Sequence, residues 1–488
     1  MGLRFKQAAI LAVTAVAIAA VTVFAGARLL RSRAPDLHRL YASGMERAQV
    51  PPVIIIPGIL GSRLRERGSG RELWPGSIYN LLFSARSLAL DIDPKTLEPR
   101  ADDVEAYDLF REALGSDYYG AIIDTLERQG GYVRGQPGRA ADPAKRRYYI
   151  FPYDWRQDNI VTARKLDALI EQIRSDYADP KLKVDIVAHS MGGLITRYYI
   201  QYGVADVLDG NEFPANFAGA NKIRTAVLLG TPNLGSVGAL HSLLAGYQVG
   251  RQAIPPEALA TMPSVYELLP HPITDWIVDT KGQVLERDLF FVGTWIAYQW
   301  SVFDPAVENR VRASVTSAAE GQQRINLLGD YFAKRIERAR RFVWSLTYNV
   351  SQNAPVRLVV FGGDCTLTPA RVVEEPGAAP DGRAVVRLLP NAIKSPQPGI
   401  DYSRLMLEPG DGEVTKPSLL ARQSLDPTVS RSDDVFFPLA YAFFLCVDHE
   451  HLAGNINFQD NLLNVLLERG RSWENTSVPA AKERGRKN

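Results

Sequence analysis

The chain is poor in cysteine, in histidine and in net charge. Its 488 residues hold two cysteines, Cys365 and Cys446, and six histidines. Neither cysteine has metal-ligand spacing, which argues against a zinc site and leaves no metal expected. The 56 basic and 54 acidic residues give a formal net charge of +2, so there is no cationic excess of the kind that recruits nucleic acid. No dinucleotide fingerprint and no P-loop occurs, and no cofactor is expected. Internal repeats are also absent. What the chain does have is 46% hydrophobic residues, enough for a large core.

The charge is unevenly placed. Arg4, Lys6, Arg28, Arg31 and Arg33 fall in the first 33 residues, where no acidic residue occurs, so the remainder carries a net charge of −3. Between Lys6 and Arg28 the run Gln7 to Ala27 is uncharged. About 20 such residues at ~1.5 Å each span roughly 30 Å, the thickness of a bilayer core. Residues 1–33 are therefore expected to be a membrane anchor that exports the catalytic part from the cytoplasm. The alternative is a signal peptide cleaved near Ala25-Gly26-Ala27, giving a secreted protein. Export would permit a disulfide. Cys365 and Cys446 lie at the ends of neighbouring expected strands, where a bridge is possible, and two buried thiols are the other reading.

Apolar or β-branched runs recur at Val53 to Ile56, Tyr148 to Phe151, Val184 to Val187, Thr225 to Leu229, Val356 to Phe361 and Ala442 to Val447. Helical patterns separate several of them. In the clearest, Asp158 stands as N-cap before Leu166, Leu169, Ile170 and Ile173 on one face. Strands alternating with helices predict an α/β fold with a mostly parallel sheet. The rhythm breaks from Leu234 to Ala354, where aromatic stretches and an arginine-rich amphipathic pattern, Arg324 to Tyr348, predict a cap insertion. Two inserts without clear periodicity, Gly68 to Asp142 and Glu374 to Arg404, are rich in Gly and Pro. The tail 471–488 is polar.

The stretch Val187-Ala188-His189-Ser190-Met191-Gly192-Gly193 carries the chemistry. A serine between small residues, after a buried strand and before a helix, is the pattern of a nucleophile elbow, with Ala188 in place of the usual first glycine. Such a serine needs a general base and an acid that orients it. His38 lies in the polar connector after residue 33, His189 adjoins the serine as a packing residue, and His241 and His271 fall in the cap. His449 and His451 remain, in the loop after the last long strand. Asp411, in Pro409-Gly410-Asp411-Gly412-Glu413-Val414, gives the chain order Ser, Asp, His of this architecture. Asp364 also lies at a strand end, and spacing leaves both acids open.

These motifs, together with Pro57-Gly58-Ile59-Leu60-Gly61-Ser62, Tyr153-Asp154-Trp155-Arg156 and Gly230-Thr231-Pro232, resemble the lecithin:cholesterol acyltransferase family of α/β-hydrolases, which includes lysosomal phospholipase A2 and phospholipid:diacylglycerol acyltransferases. They run from about residue 52 to 465 in the family's order. The resemblance implies an α/β-hydrolase core in two parts, 50–235 and 355–470, separated by a cap at 236–354. It implies Ser190 as nucleophile, Asp411 as acid and a histidine of the final loop as base. The family's His-x-x-Leu/Met pattern is met from His449. The oxyanion hole maps onto the N–H groups of Ile59 and Met191, and Trp74 resembles the family's tryptophan above the acyl site. Asp154 and Arg156 read as a brace. The cap does not align with the family, so the substrate is not fixed by the resemblance.

The expected activity is that of a lipid acyl hydrolase or O-acyltransferase acting at a membrane surface on phospholipid esters through an acyl-enzyme. The alternatives are an exported esterase or lipase on soluble esters, and a catalytically silent anchored scaffold.

Overall fold

The computed structural model describes residues 36–37, 50–76, 88–113, 116–117, 119–249, 252–347, 356–379, 381–425 and 437–468. The expected N-terminal anchor and the polar tail lie outside them. Among the described residues no helix is long and apolar enough to cross a membrane.

Seven strands form the central sheet: β1 (Val53–Ile56), β2 (Val133–Arg134), β3 (Arg147–Ile150), β4 (Val184–His189), β5 (Ile223–Leu229), β6 (Arg357–Gly363) and β7 (Leu439–Leu445). Their order is β7-β6-β5-β4-β1-β3-β2, and every neighbouring pair is parallel. A parallel sheet needs cover on both faces, and the period of two along each strand supplies it. Ile54, Ile56, Ile186, Ala188, Leu228 and Val360 face one core with the helices α1 (Asn159–Asp176), α2 (Met191–Tyr202) and α3 (Ala318–Thr347). Val53, Ile55, Val187, Val227, Leu229 and Phe361 face the other, against the short helix Gly120–Asp124 and α4 (Ile456–Leu467). Each buried aliphatic side chain contributes about 1.5–3 kcal/mol, so a one-residue register slip, which would exchange the two faces, is strongly disfavoured.

The expected N-cap is in place: the Asp158 carboxylate accepts from Ile160 N–H at 2.8 Å and starts α1. The one charged residue in the buried run of β4, Asp185, is paired with Arg224 from β5. Edge strand β2 was not legible in sequence, since Val133–Arg134 is too short to show a period and is exposed on both faces.

The segment between β5 and β6 forms an insertion whose longest element is α3. Leu328, Tyr331, Phe332, Ile336, Ala339 and Phe342 on α3 join the same core as α1 and α2. Two arginines on the same side of the helix fasten it further: Arg338 bridges Asp158 at 2.6 Å and Asp206 at 2.7 Å, and the buried Arg335 meets Glu98 at 2.7 Å. The described residues of the two aperiodic inserts contribute to small sheets. One joins Ser62–Glu66 to Glu72–Trp74 and Val104–Leu109, the other Ile277–Asp279 to Val372–Glu375 and Val385–Arg387. Their strands are three to six residues long, too short for periodicity to stand out.

Candidate active site

Ser190 sits between β4 and α2 with φ 52° and ψ −123°. A non-glycine residue reaches this region only where its surroundings force it, and two close contacts do so here. A Cβ on Gly192 would lie 2.5 Å from the Pro57 carbonyl oxygen, and one on Gly193 would lie 1.9 Å from Thr231 Oγ1. The two glycines thus let α2 start hard against the ends of β1 and β5. Ser190 N–H donates to Leu229 O at 2.8 Å, and the residue is 8% exposed.

The loop after β1 is held peptide by peptide. Gly61 N–H donates to Gly58 O at 3.1 Å, closing the turn. Tyr153 Oη donates to Pro57 O at 2.9 Å, and Trp155 Nε1 donates to Ser62 O at 3.3 Å. Trp74 Nε1 donates to Leu60 O at 2.7 Å, and its ring packs edge-on against Trp155 with centroids 5.7 Å apart. The first motif and the Tyr153–Arg156 motif therefore form one braced unit around Ile59. Asp154 and Arg156 pair with each other within that motif. Arg156, 1% exposed, holds Asp154 through Nε and Nη2 at 2.9 and 2.8 Å and reaches Asp102 at 2.8 Å. Trp74 is buried and fastens the loop that carries Ile59. Met191 is the first residue of α2, at the helix end whose N–H groups are suited to an anion.

Asp411 and His449 come together. His449 Nδ1 and Asp411 Oδ2 are 2.8 Å apart, and His449 N–H donates to Asp411 O at 2.8 Å. Val414 and Glu413 N–H groups donate to Asp411 Oδ1 at 2.7 and 3.1 Å. Burial alone would raise the Asp411 carboxyl, but the His449 charge and hydrogen bond and the two backbone donors outweigh it and hold it below the usual aspartate value. His449 behaves oppositely. Burial pulls it down, yet Asp411 above all, with Glu413 and Glu450 behind it, holds it above the usual imidazole value. The ring lies 4.8 Å from that of His189, next to Ser190, and over Gly230.

The rival residues are elsewhere. Asp364 Oδ2 pairs with Lys416 Nζ at 2.9 Å, and His451 Nδ1 meets Asp448 at 2.5 Å on the surface, both side chains more than half exposed. His271 is buried against Thr347 Oγ1 at 2.7 Å, far along the insertion. Cys365 and Cys446 form a disulfide joining the ends of β6 and β7, next to the loops that carry Asp411 and His449.

One residue of the site had no signal in sequence. Tyr119 Oη accepts from Gly58 N–H at 2.8 Å and lies 3.0 Å from His189 Nδ1. It belongs to the aperiodic insert 61 residues away from Gly58, and nothing local marks it.

The parallel seven-stranded sheet, the serine at the strand-to-helix turn and the histidine loop after the last strand define an α/β-hydrolase. Comparison with known proteins carries this further. The family model described as lecithin:cholesterol acyltransferase matches residues 85–302, so the resemblance read from the motifs holds over that span. The matched span contains the Tyr153–Arg156 motif, the elbow and Gly230-Thr231-Pro232. "Lysosomal phospholipase A and acyltransferase" of Canis lupus familiaris is 26% identical over 187 residues, and the Homo sapiens protein of that name is 25% identical over 187 residues. Each match covers 31% of this chain and 42% of the relative, less than half of the relative's length. The solved structure described as "The crystal structure of Tle4-Tli4 complex" superposes with a TM-score of 0.51 at 16% identity, covering 86% of this chain and 98% of that chain. At that identity the likeness is one of fold.

Proposed function

We propose that the protein is a serine-dependent lipid acyl hydrolase or O-acyltransferase. The observations that carry this reading are the 2.8 Å Asp411–His449 hydrogen bond, with the imidazole against Gly230 one residue after the Leu229 carbonyl that accepts from Ser190 N–H, and the positive φ of Ser190. In the reaction, Ser190 Oγ attacks an ester carbonyl while His449 Nε2 takes its proton, and Asp411 holds the imidazolium that forms. The oxyanion is met by the N–H groups of Ile59 and Met191. The tetrahedral adduct collapses, the leaving alcohol takes the proton from His449, and the acyl group stays on Ser190. Water or an acceptor alcohol then repeats the sequence in reverse roles, releasing a fatty acid or a new ester.

A lipid substrate is supported by two features. The relatives named above are described as a phospholipase and acyltransferase. The insertion, read as a cap over 236–354, presents Phe291 at 61% and Ile296 at 52% exposure. Large apolar side chains left in water suit a lipid surface, where each buried methylene contributes about 0.8 kcal/mol. Trp74 would then stand behind the acyl site through the loop it braces. An exported catalytic part, anchored through residues 1–33, would place this surface at a membrane.

The test is incubation of the chain with phosphatidylcholine vesicles, with and without a long-chain alcohol or sterol, with acyl products read by mass spectrometry against Ser190→Ala. A new acyl ester that requires Ser190 establishes a transferase, and fatty acid with lysolipid alone establishes a phospholipase. Cleavage confined to short soluble esters makes the protein a general esterase. Full activity in Ser190→Ala overturns the mechanism.

A further inference from the structure

The residue that precedes the elbow serine, and the tyrosine that had no signal in sequence, form a connected chain of hydrogen bonds. Gly58 N–H donates to Tyr119 Oη at 2.8 Å, and Tyr119 Oη lies 3.0 Å from His189 Nδ1. The His189 ring also makes a backbone hydrogen bond with His449. The two rings meet edge-on, centroids 5.7 Å apart for Tyr119 and His189. There is no slack between the parts: a Cβ on Gly58 would lie 2.8 Å from Ser190 Cβ and 3.3 Å from His189 Nδ1, and one on Gly61 would lie 2.6 Å from Tyr119 Oη.

We infer that Tyr119 and His189 are positioning residues that lock the oxyanion loop and the base loop to the elbow, an inference that rests on the function proposed above. The chemistry of donors fixes how. In the relay, Tyr119 Oη accepts from Gly58 N–H and donates its own proton to an unprotonated His189 Nδ1. In that tautomer the ring proton sits on Nε2 and serves the backbone hydrogen bond to His449. Burial first, and the neighbouring His449 second, push His189 down to about 3, so the ring stays neutral and keeps this single tautomer at neutral pH. The Gly58 N–H is engaged by Tyr119 and the neighbouring peptide planes are pinned by Tyr153 and Trp74, so the loop that carries the Ile59 N–H is fixed on both sides. At the other end the relay holds the backbone of His449, whose side chain is set by Asp411.

The relay makes a prediction that a mere packing role does not. Tyr119→Phe keeps the ring and removes only the hydroxyl. It should lower kcat on a p-nitrophenyl ester about tenfold or more with KM within about twofold, because misplaced donors act on the transition state. His189→Asn should cost a similar factor, and the double variant no more than the larger single loss, since both break one chain. Imidazole 15N spectra of the full-length protein give a readout independent of turnover. At neutral pH, His189 should show an unprotonated Nδ1 in the wild type and a mixed tautomer in Tyr119→Phe. Unchanged kcat in both single variants of a Ser190-dependent enzyme, losses that simply multiply, or a protonated Nδ1 in the wild type would each overturn the relay and leave the proposed function standing. Activity that survives Ser190→Ala would instead remove the proposed function itself. Should Tyr119→Phe fail to fold, the His189→Asn kinetics and the wild-type spectrum decide the matter.

Discussion

Gly230 makes room for His449. A Cβ at position 230 would stand 2.9 Å from the imidazole Cε1 and 3.0 Å from Nδ1, and the glycine holds φ 59°. The Gly-Thr-Pro motif at the end of β5 is therefore part of the seat of the His449 ring. Gly230→Ala meets two penalties at once, about 1–2 kcal/mol for the left-handed backbone and a direct push on the imidazole. The expected outcome is a kcat on a short ester reduced about tenfold or more, with a melting temperature lowered by only several degrees. Steady-state kinetics beside a thermal melt checks both halves.

The Asp411–His449 pair sets the pH dependence. In the proposed mechanism His449 serves as base only when neutral, and Asp411 holds its pKa above the ordinary imidazole value. The rate on a short ester should therefore fall as pH falls through that raised value. In Asp411→Asn the acid limb of the profile should move to lower pH, since the main cause of the upward shift is gone. The same variant should lose about 10⁴-fold in kcat at neutral pH, because an amide does not hold the required tautomer. A pH–rate profile of both proteins measures the two effects together, and an acid limb that stays in place in Asp411→Asn would mean that another group is titrating.

Much of this site was legible because it is local. The elbow needs only a strand, a turn and a helix within about fifteen residues, and small neighbours at Ala188, Gly192 and Gly193 announce it. Spacing alone did not separate Asp411 from Asp364, since both end strands; the family resemblance pointed to Asp411, and it is Asp411 that contacts His449. Gly363 is the physical reason: a Cβ there would lie 2.7 Å from Asp411 Cβ, so its absence lets the Asp411 loop close onto β6. Asp364, next in sequence, is turned to Lys416 instead. Tyr119 stayed hidden for a related reason, because its role depends on a contact made across 61 residues. The sheets inside the aperiodic inserts stayed hidden because their strands are too short to display a period.

The disulfide closes a ring that contains Asp411 and ends just before His449. Cys365 and Cys446 are 81 residues apart, and closing a loop of that length limits the unfolded chain by an amount equivalent to about 4 kcal/mol. Reduction, or the pair of changes Cys365→Ala and Cys446→Ala, should lower the unfolding free energy by up to about that amount. Activity should fall at temperatures where the fold persists, because the ends of β6 and β7 carry the acid and base loops. Denaturant titrations with and without reductant, each paired with a rate on a short ester, test this. Equal rates in both states would show that hydrogen bonds alone hold the two loops.

Arg338 tests whether the insertion is a fixed wall or a moving part. Its guanidinium ties α3 to Asp158 at the start of α1 and to Asp206 beyond α2, at 2.6 and 2.7 Å. Removing it in Arg338→Ala leaves two carboxylates near each other and near the buried Glu267, whose own pKa is raised by burial and by Asp158. The pair is neither fully buried nor free in water, so a cost of about 2 kcal/mol is expected at neutral pH. The sign with pH follows from Asp206: burial would raise it, but Arg338 holds it below the usual aspartate value. Its contribution is therefore present above the unfolded aspartate pKa and is lost as pH falls through the folded one. The stability gap between wild type and Arg338→Ala should be widest near neutrality and narrow in acid, as seen in melts across pH. Because α3 shares its apolar core with α1 and α2, kcat on a short soluble ester should be unchanged below the melting range. A fall in kcat well below that range would mean that activity depends on this anchor, and that the long helix belongs to a moving part of the insertion.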